Sequence, residues 1–550
     1  MDLSIPLATL ATVGRIFLLI ALAIVSGHLL AYAAIRSRAF ENVFVPLVNV
    51  FESIPVIGFL PLVLVAFILT FHGSIGVELA VDFLVFDAVA WNVWIGIYQA
   101  FKTVPLHLVE VADNYNMGFW KKMTTLFVPH SVPRLTSNIF SSFADAFFYI
   151  SVSEVFSAGA ATASLCPAAT CSTFGIGTLI TQYTASGNYV EVYYCLISIA
   201  VAVVAVTLVL SSLSRWALAK YGVDTPGAIR RHVGRWRGRL VTNPWRAFRN
   251  QTNVFRGYAS RLMTSPRGGQ SEASRARRAR ASRYAWISIA VAILALLLYS
   301  TAKVVTSVSV QTWYGFFRET PQLLEYVGAD YVRVSLIALA SLALAITLGY
   351  VLATHRRAGD AALPLIQVLA AFPAPTYFPL IFIATLPFLE RVLPSLYSEV
   401  FIFVLGFLSC FYYVFFDFWI GVQAIPSEFV EVTRNYTPRE ENDQRQSHQK
   451  ATTTYLITGL SSTINSAWAG IAIGEYWPNI APKVAPNGLQ VKFGMMYYIS
   501  SNMASGHIAA AAYVSLLFAV VVAIYGIVFT RNLMDLARRK YVVEEGIFAA

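Results

Sequence analysis

Charge is scarce in this chain: 13% of its 550 residues are Asp, Glu, Lys or Arg, against 57% hydrophobic ones. A soluble fold cannot cover its surface from so small a polar stock, and a disordered chain would be far less apolar. Other absences narrow the function. There is no G-x-x-x-x-G-K-[ST] loop to cradle phosphates and no G-x-S-x-G nucleophile turn. The eight histidines are scattered without metal-ligand spacing. We therefore expect no catalytic residues, no metal, no cofactor and no enzyme activity in this chain. Cysteines number four. Cys195 and Cys410 fall in apolar runs and read as small core residues. Cys166 and Cys171 share the loop segment SLCPAATCS, where a disulfide and two free thiols are both open, and no histidine is near enough to suggest a metal pair.

Long apolar runs are abundant. About 20 apolar residues cross a bilayer core as a helix, and eleven runs qualify, near residues 10–35, 44–70, 82–101, 132–154, 190–213, 285–302, 332–353, 364–386, 399–423, 452–474 and 509–530. The expected class is an all-α integral membrane protein of about eleven transmembrane helices. The N-terminus lacks a basic region and its apolar run is too long for a signal peptide, so it reads as the first span. Of the net charge of +11, a balance of +15 lies in Arg215–Arg283, with 17 Lys/Arg against Asp224 and Glu272. Basic loops stay cytoplasmic. This orientation places Arg36–Arg38, His355–Arg357 and the C-terminus inside as well, and the N-terminus outside, in a multi-pass protein of the cell membrane. The linker interleaves its arginines with Trp236, Trp245, Phe248, Phe255 and Tyr258. A membrane-tethered segment of that kind meets anionic lipid before nucleic acid, so we expect lipid contact and no nucleic-acid partner.

The chain also repeats itself. VEVADNY from Val109 and VEVTRNY from Val430 share five of seven residues, 321 positions apart. The same offset pairs Pro105 with Pro426, Glu110 with Glu431, Tyr115 with Tyr436 and Glu154 with Glu475. An offset of 318 pairs Pro55 with Pro373 and Pro61 with Pro379, and SGN at Ser186 is echoed by SGH at Ser505. Both copies would run in one membrane orientation, giving two parallel repeats: residues 1–213 with five spans, an Arg-rich cytoplasmic linker 214–283, and residues 284–550 with six. Parallel repeats in a membrane build a shared pathway. A cytoplasmic loop is the best-kept short segment, and lipid cannot select for it, whereas a docking surface could.

Val104–Pro133 resembles the cytoplasmic signature loop of permease subunits of binding-protein-dependent ABC importers. That pattern is Glu-Ala-Ala, three residues, Gly, and a Pro thirteen residues beyond. Glu110-Val111-Ala112 fits, Asn116 stands at the Gly position, Gly118 follows, and Pro129 is at the expected distance. Asn accepts a left-handed backbone, so the turn can survive. The Pro-rich segments PVIGFLP and PAPTYFP resemble the nitrate/sulfonate/taurine branch. The second copy departs, with Thr437 at the Gly position, Pro438 next, a polar PREENDQRQSHQK, and Lys450 where Pro would stand.

The resemblance implies a type I importer-like fold and a division of labour. Two cytoplasmic ABC ATPase subunits would receive the coupling residues Glu110, Val111, Ala112, Tyr115, Asn116 and Gly118 in one loop, and Glu431, Val432 and Tyr436 in the other. An extracellular substrate-binding protein would deliver a small-molecule substrate, for which the branch suggests nitrate, a sulfonate or a similar anion. Candidate path or gate residues are Asp145, near mid-bilayer, Glu154 and Glu475 at the outer helix ends, where plain solvation is the competing reading, and Pro55, Pro61, Pro373 and Pro379. An ATP-independent carrier or channel built from parallel repeats is the alternative.

Overall fold

Hydrophobic runs this long can satisfy their backbone in lipid only as helices or a closed barrel, and the computed structural model is helical. It describes residues 4–53, 73–157, 173–221, 309–423 and 441–540, with residues 58, 63, 67 and 71 singly. The first part comprises α1 (Ser4–Arg36), α2 (Arg38–Ser53), α3 (Gly73–Lys102), the short α4 (Leu106–Asn114) and α5 (Phe119–Lys122), α6 (Val128–Ser157), α7 (Ile176–Ser186) and α8 (Tyr189–Tyr221). A single π-helical turn, Met123–Phe127, joins α5 to α6. The second part comprises α9 (Val310–Thr354), α10 (Arg356–Ala371), α11 (Ala374–Val392), α12 (Tyr397–Gln423), α13 (Glu441–Glu475), α14 (Met495–Ala504) and α15 (Ile508–Lys540). Between α13 and α14, β1 (Tyr476–Trp477) pairs antiparallel with β2 (Leu489–Gln490).

Residues 222–315 form a unit of their own. Of its described part, Ser309 caps α9, its hydroxyl accepting the Thr312 N–H at 3.2 Å. Residues 1–221 and 316–550 form the other unit. Five described helices are long and apolar enough to cross a membrane: Ser4–Arg36, Ile75–Lys102, Tyr189–Ser214, Val310–Leu352 and Tyr397–Trp419. α6 and α13 are long enough but more polar. The expected span 285–302 lies outside the described residues; of the expected span 44–70, residues 44–53 fall in α2 and the rest lies outside the described residues, single positions excepted.

One expected span is broken. The run 364–386 predicts a single helix, but α10 ends at Ala371, α11 begins at Ala374, and the two axes bend by 92°. Pro373 lacks an N–H and disfavours helical backbone at Phe372, which is extended at ψ 115°, while Pro375 falls in the first turn of α11, where proline is tolerated, so the chain turns where FPAP is written.

Each part has its own core. Ile16, Val89, Phe143, Phe147 and Cys195 belong to one, and Phe382, Phe401, Leu405, Trp468 and Phe518 to the other. Tyr149 packs against both. In the second core α12 and α13 touch backbone to backbone. A methyl group added at Gly470 would fall 2.5 Å from Gly406 Cα, one at Gly474 3.3 Å from Ile402 Cα, and one at Gly459 2.9 Å from Val414 Cα. The matching positions of α3 and α6, 321 earlier, are Val85, Tyr149, Ser153 and Asn138.

Candidate functional site

The loop that follows α3 is built on a short amphipathic helix. Pro105 leads into α4 with extended backbone, and Ala112 is turned inward at 4% exposure. Glu110, Val111 and Tyr115 face out, Tyr115 at 76%, with Leu106 and Trp120 as further exposed apolar groups. Asn116 ends the helix with φ +50°, the one non-glycine residue at positive φ among the described residues. Its N–H bonds Asp113 O at 2.8 Å, and the Met117 N–H bonds Ala112 O at 3.0 Å. That pair of bonds is a Schellman turn, with Asn where Gly is usual. Gly118 then starts α5 in an ordinary extended conformation. Behind the loop, the buried Lys122 ammonium pairs with Asp113, and Phe119 meets Tyr32 of α1 edge-on at 4.8 Å. The loop thus has an anchored back and an apolar front.

Glu431, Val432 and Tyr436 of the second loop lie outside the described residues. So do Pro55, Pro61, Cys166 and Cys171. The polar stretch of the second copy runs, from Glu441 on, into α13, which continues unbroken to Glu475. Pro373 is the cap residue of α11, and Pro379 lies buried inside that helix.

At the opposite end of the helices, Glu154 and Glu475 are fully buried. Plain solvation is therefore not their state. Glu154 accepts from Gly177 N–H at 2.8 Å and Thr12 Oγ1–H at 3.0 Å, and Thr12 in turn accepts the Ile176 N–H at 3.1 Å. The N-terminus of α7 is thereby satisfied by side chains from α1 and α6. Arg15 pairs with Glu78 and reaches Glu154 at 3.6 Å. Around Glu475 the plan recurs with different residues. Its Oε2 accepts the Tyr497 N–H at 3.0 Å, and Asp330 accepts the Met495 N–H at 2.9 Å, which satisfies the start of α14. Arg333 bonds Glu399 through Nε and Nη2 at 2.8 and 2.7 Å, Asp330 and Glu475 through Nη1 at 2.8 and 2.9 Å, and Phe493 O at 2.9 Å. All five guanidinium donors are engaged. Side chains cannot be added at the adjoining glycines: a methyl at Gly175 or Gly494 would overlap Glu154 or Glu475.

Sequence reasoning missed Arg15, Glu78 and Thr12, and likewise Arg333, Glu399 and Asp330. The signal was present. Arg15/Arg333 and Thr12/Asp330 are 318 apart, and Glu78/Glu399 are 321 apart, the offsets already carried by the prolines and by Glu154/Glu475.

Asp145 lies between the two parts, where its carboxylate accepts the Tyr413 hydroxyl of α12. At the same end of the helices as the loop, Glu41 of α2 receives Lys102 at 2.6 Å and the Tyr98 hydroxyl. The Lys102 ammonium, seconded by Tyr98, holds the Glu41 carboxyl below the usual carboxylate range. Among the described residues no three His, Cys, Asp or Glu side chains gather as metal ligands.

Residues 20–221 match the sequence profile of a family described as "Binding-protein-dependent transport system inner membrane component". Neither the curated proteins nor the solved structures returned a match. The matched segment contains the anchored loop, Glu154 and the start of α7, and together with the apolar helices it indicates a multi-pass membrane permease of a binding-protein-dependent transport system.

Proposed function

We propose that the chain is the fused transmembrane subunit of an ATP-driven importer, with two parallel permease repeats and about eleven spans in one polypeptide. Residues 1–213 and 284–550 are the repeats, and 214–283 is a cytoplasmic linker lying on anionic lipid. The N-terminus is outside and the C-terminus inside. ATP is hydrolysed on two separate cytoplasmic ABC ATPase subunits, and an external binding protein delivers a small solute. The observation that carries this reading is the loop 105–127, apolar in front and pinned behind, within the segment that matches the permease profile. The doubled outer clusters support the duplication, and so do the SGN and SGH turns. Gly187 and Gly506 both adopt positive φ, and the residue after each bonds back to Tyr183 O or Asn502 O at 2.8 Å.

An extended contact suits the task. Inverting a two-state equilibrium takes about 5.5 kcal/mol, whereas one hydrogen bond contributes about 1 kcal/mol net. The first loop carries most of the coupling, because Pro438 interrupts the second copy. In reconstituted complexes Glu110→Ala should lose more solute-stimulated ATP hydrolysis than Glu431→Ala. A cysteine at Tyr115 should crosslink to an ATPase subunit, and one at Ser265 should resist external labels in sealed vesicles. Solute flux that persists without ATP or any bound ATPase would overturn the importer reading.

A further inference from the structure

On the side of Glu154 and Glu475 the two parts meet around α7. Leu380 of α11 packs against the first core, as Leu179 and Tyr183 of α7 do, and α11 touches α7. α7 closes in the Gly187 turn at φ +70°, where the Gly187 N–H bonds Thr184 O at 3.0 Å and the Asn188 N–H bonds Tyr183 O at 2.8 Å. Glycine is needed there for two reasons. It accepts positive φ without strain, and a methyl group in its place would overlap Cδ, Cε and Nζ of Lys483. Lys483 belongs to the second part, in the loop between β1 and β2. One side chain thus crosses from the second part onto a backbone turn of the first.

Both backings of this contact are stiff. The Lys483 loop is closed by the β1–β2 pair, rooted by the buried Ile480, Ala481 and Leu489, and turned by bonds from the Val484 and Ala485 N–H groups to Ala481 O at 3.0 and 2.8 Å. α7 is held at its start by Glu154 and Thr12. Such bodies meet or part as wholes, so the contact is made or broken rather than graded. The contact itself is slight. Lys483 is exposed, and its ammonium makes no ion pair among the described residues. It faces the C-terminus of α7, whose free carbonyls carry partial negative charge. Water competes there, so the contact can part without the penalty of stripping Arg333 from its buried carboxylates. It is also single: no Lys or Arg occurs from Val155 to Asn188, the corresponding stretch of the first part.

We propose that Lys483 is a latch between the two parts. Its stem and ammonium, seated on the Gly187 turn, hold the junction shut on this side, and they leave the turn when the junction opens there. The inference rests on the permease reading, in which a path between the repeats opens to one side at a time.

The test measures distances between spin labels in the full chain, held in lipid nanodiscs. Labels at Asn188 and Asn487, both exposed, report the gap between the parts. Cys166 and Cys171 are replaced by serine for this purpose, and Cys195 and Cys410 are buried. The otherwise native chain should give one short distance. Lys483→Glu turns attraction to the helix end into repulsion and should move at least about half of the molecules to a longer distance. Lys483→Arg should keep the short one. Gly187→Ala, which pushes the lysine off its seat, should act like Lys483→Glu; if that variant does not fold, the exposed Lys483 position decides. A control pair within the second part, Asn487 with Leu324, should stay fixed throughout. An unchanged gap in Lys483→Glu, equal widening in Lys483→Arg, or a control distance that moves with the gap would overturn the latch. Nucleotide is scored separately, on the chain with its co-purified ATPase subunits. ATP with vanadate should lengthen the native Asn188–Asn487 distance, and Lys483→Glu should raise ATP hydrolysis without solute by about threefold. A gap that answers to Lys483→Glu but to no nucleotide would defeat the importer reading and leave the latch standing. Solute-stimulated hydrolysis with a gap that ignores Lys483→Glu would do the opposite.

Discussion

The Arg15 and Arg333 clusters occupy equivalent places and solve one problem with different chemistry. Each buries a glutamate at the end of a long helix to satisfy the backbone at the start of a short one. In the first, a hydroxyl helps: Thr12 bridges Glu154 and Ile176, and Arg15 sits loosely, with an Nη1 that makes no hydrogen bond. In the second, Asp330 replaces Thr12, and a third carboxylate is added to one arginine. Asp330 and Glu475 both accept from the Nη1 of Arg333, at 2.8 and 2.9 Å. A neutral cap needs little support, whereas a charged one must be fully saturated.

The sharpest way to break this comparison is to remove the two arginines in turn. Arg333→Met strands three carboxylates, two of them fully buried, and should cost about 3–5 kcal/mol, the range for breaking a buried pair. Arg15→Met should cost about 2 kcal/mol, since the glutamate keeps its hydroxyl and amide donors. Thermal unfolding in detergent measures both, and equal losses would contradict the difference in saturation.

Exchanging the caps refines it. Asp330→Thr removes the extra charge and leaves a hydroxyl to accept the Met495 N–H, as Thr12 does for Ile176. We expect a loss of about 1 kcal/mol, well short of Arg333→Met. A loss as large as that variant's would mean that Asp330 does more than cap.

The two smaller predictions concern the opposite end of the helices, where only the first loop can be compared with its sequence. Asn116→Ala places a methyl-bearing residue in left-handed backbone and should cost about 1 kcal/mol, with Asn116→Gly neutral or better. Hydrogen exchange at Met117 should report both. At Glu41 the folded carboxyl titrates below its unfolded value, so its contribution is present at neutral pH and is lost as pH falls through the folded value. The modest stability gap between the native chain and Glu41→Gln should therefore close on acidification. A gap that widens would reverse the sign.

Much of the fold was legible because hydropathy records a cost that every residue pays locally. Helices such as α1, α3, α8 and α12 fall where apolar runs predict them, and Asn116 takes the backbone that its place in the motif demands. Illegible were groups whose meaning is a partner far along the chain. Arg15 and Arg333 count in hydropathy only as penalties, yet Arg333 meets Glu399 and Glu475, 66 and 142 residues away. The solvated reading of Glu154 and Glu475 failed for the same reason: a helix end is exposed only if nothing folds over it, and the glycine starts of α7 and α14 do. The break at Phe372–Pro373 was written in the sequence but overridden by the apolar run around it.

The glycine contact of α12 with α13 bears on movement. Where two helices meet through side chains, rotamers can rearrange and let one slide past the other. Gly406 and Gly470 leave no such layer, and sliding would drive backbone into backbone. These helices must travel together as one lever, so any displacement delivered at the polar start of α13 would arrive undiminished at Glu475, some 34 residues further along the same rod.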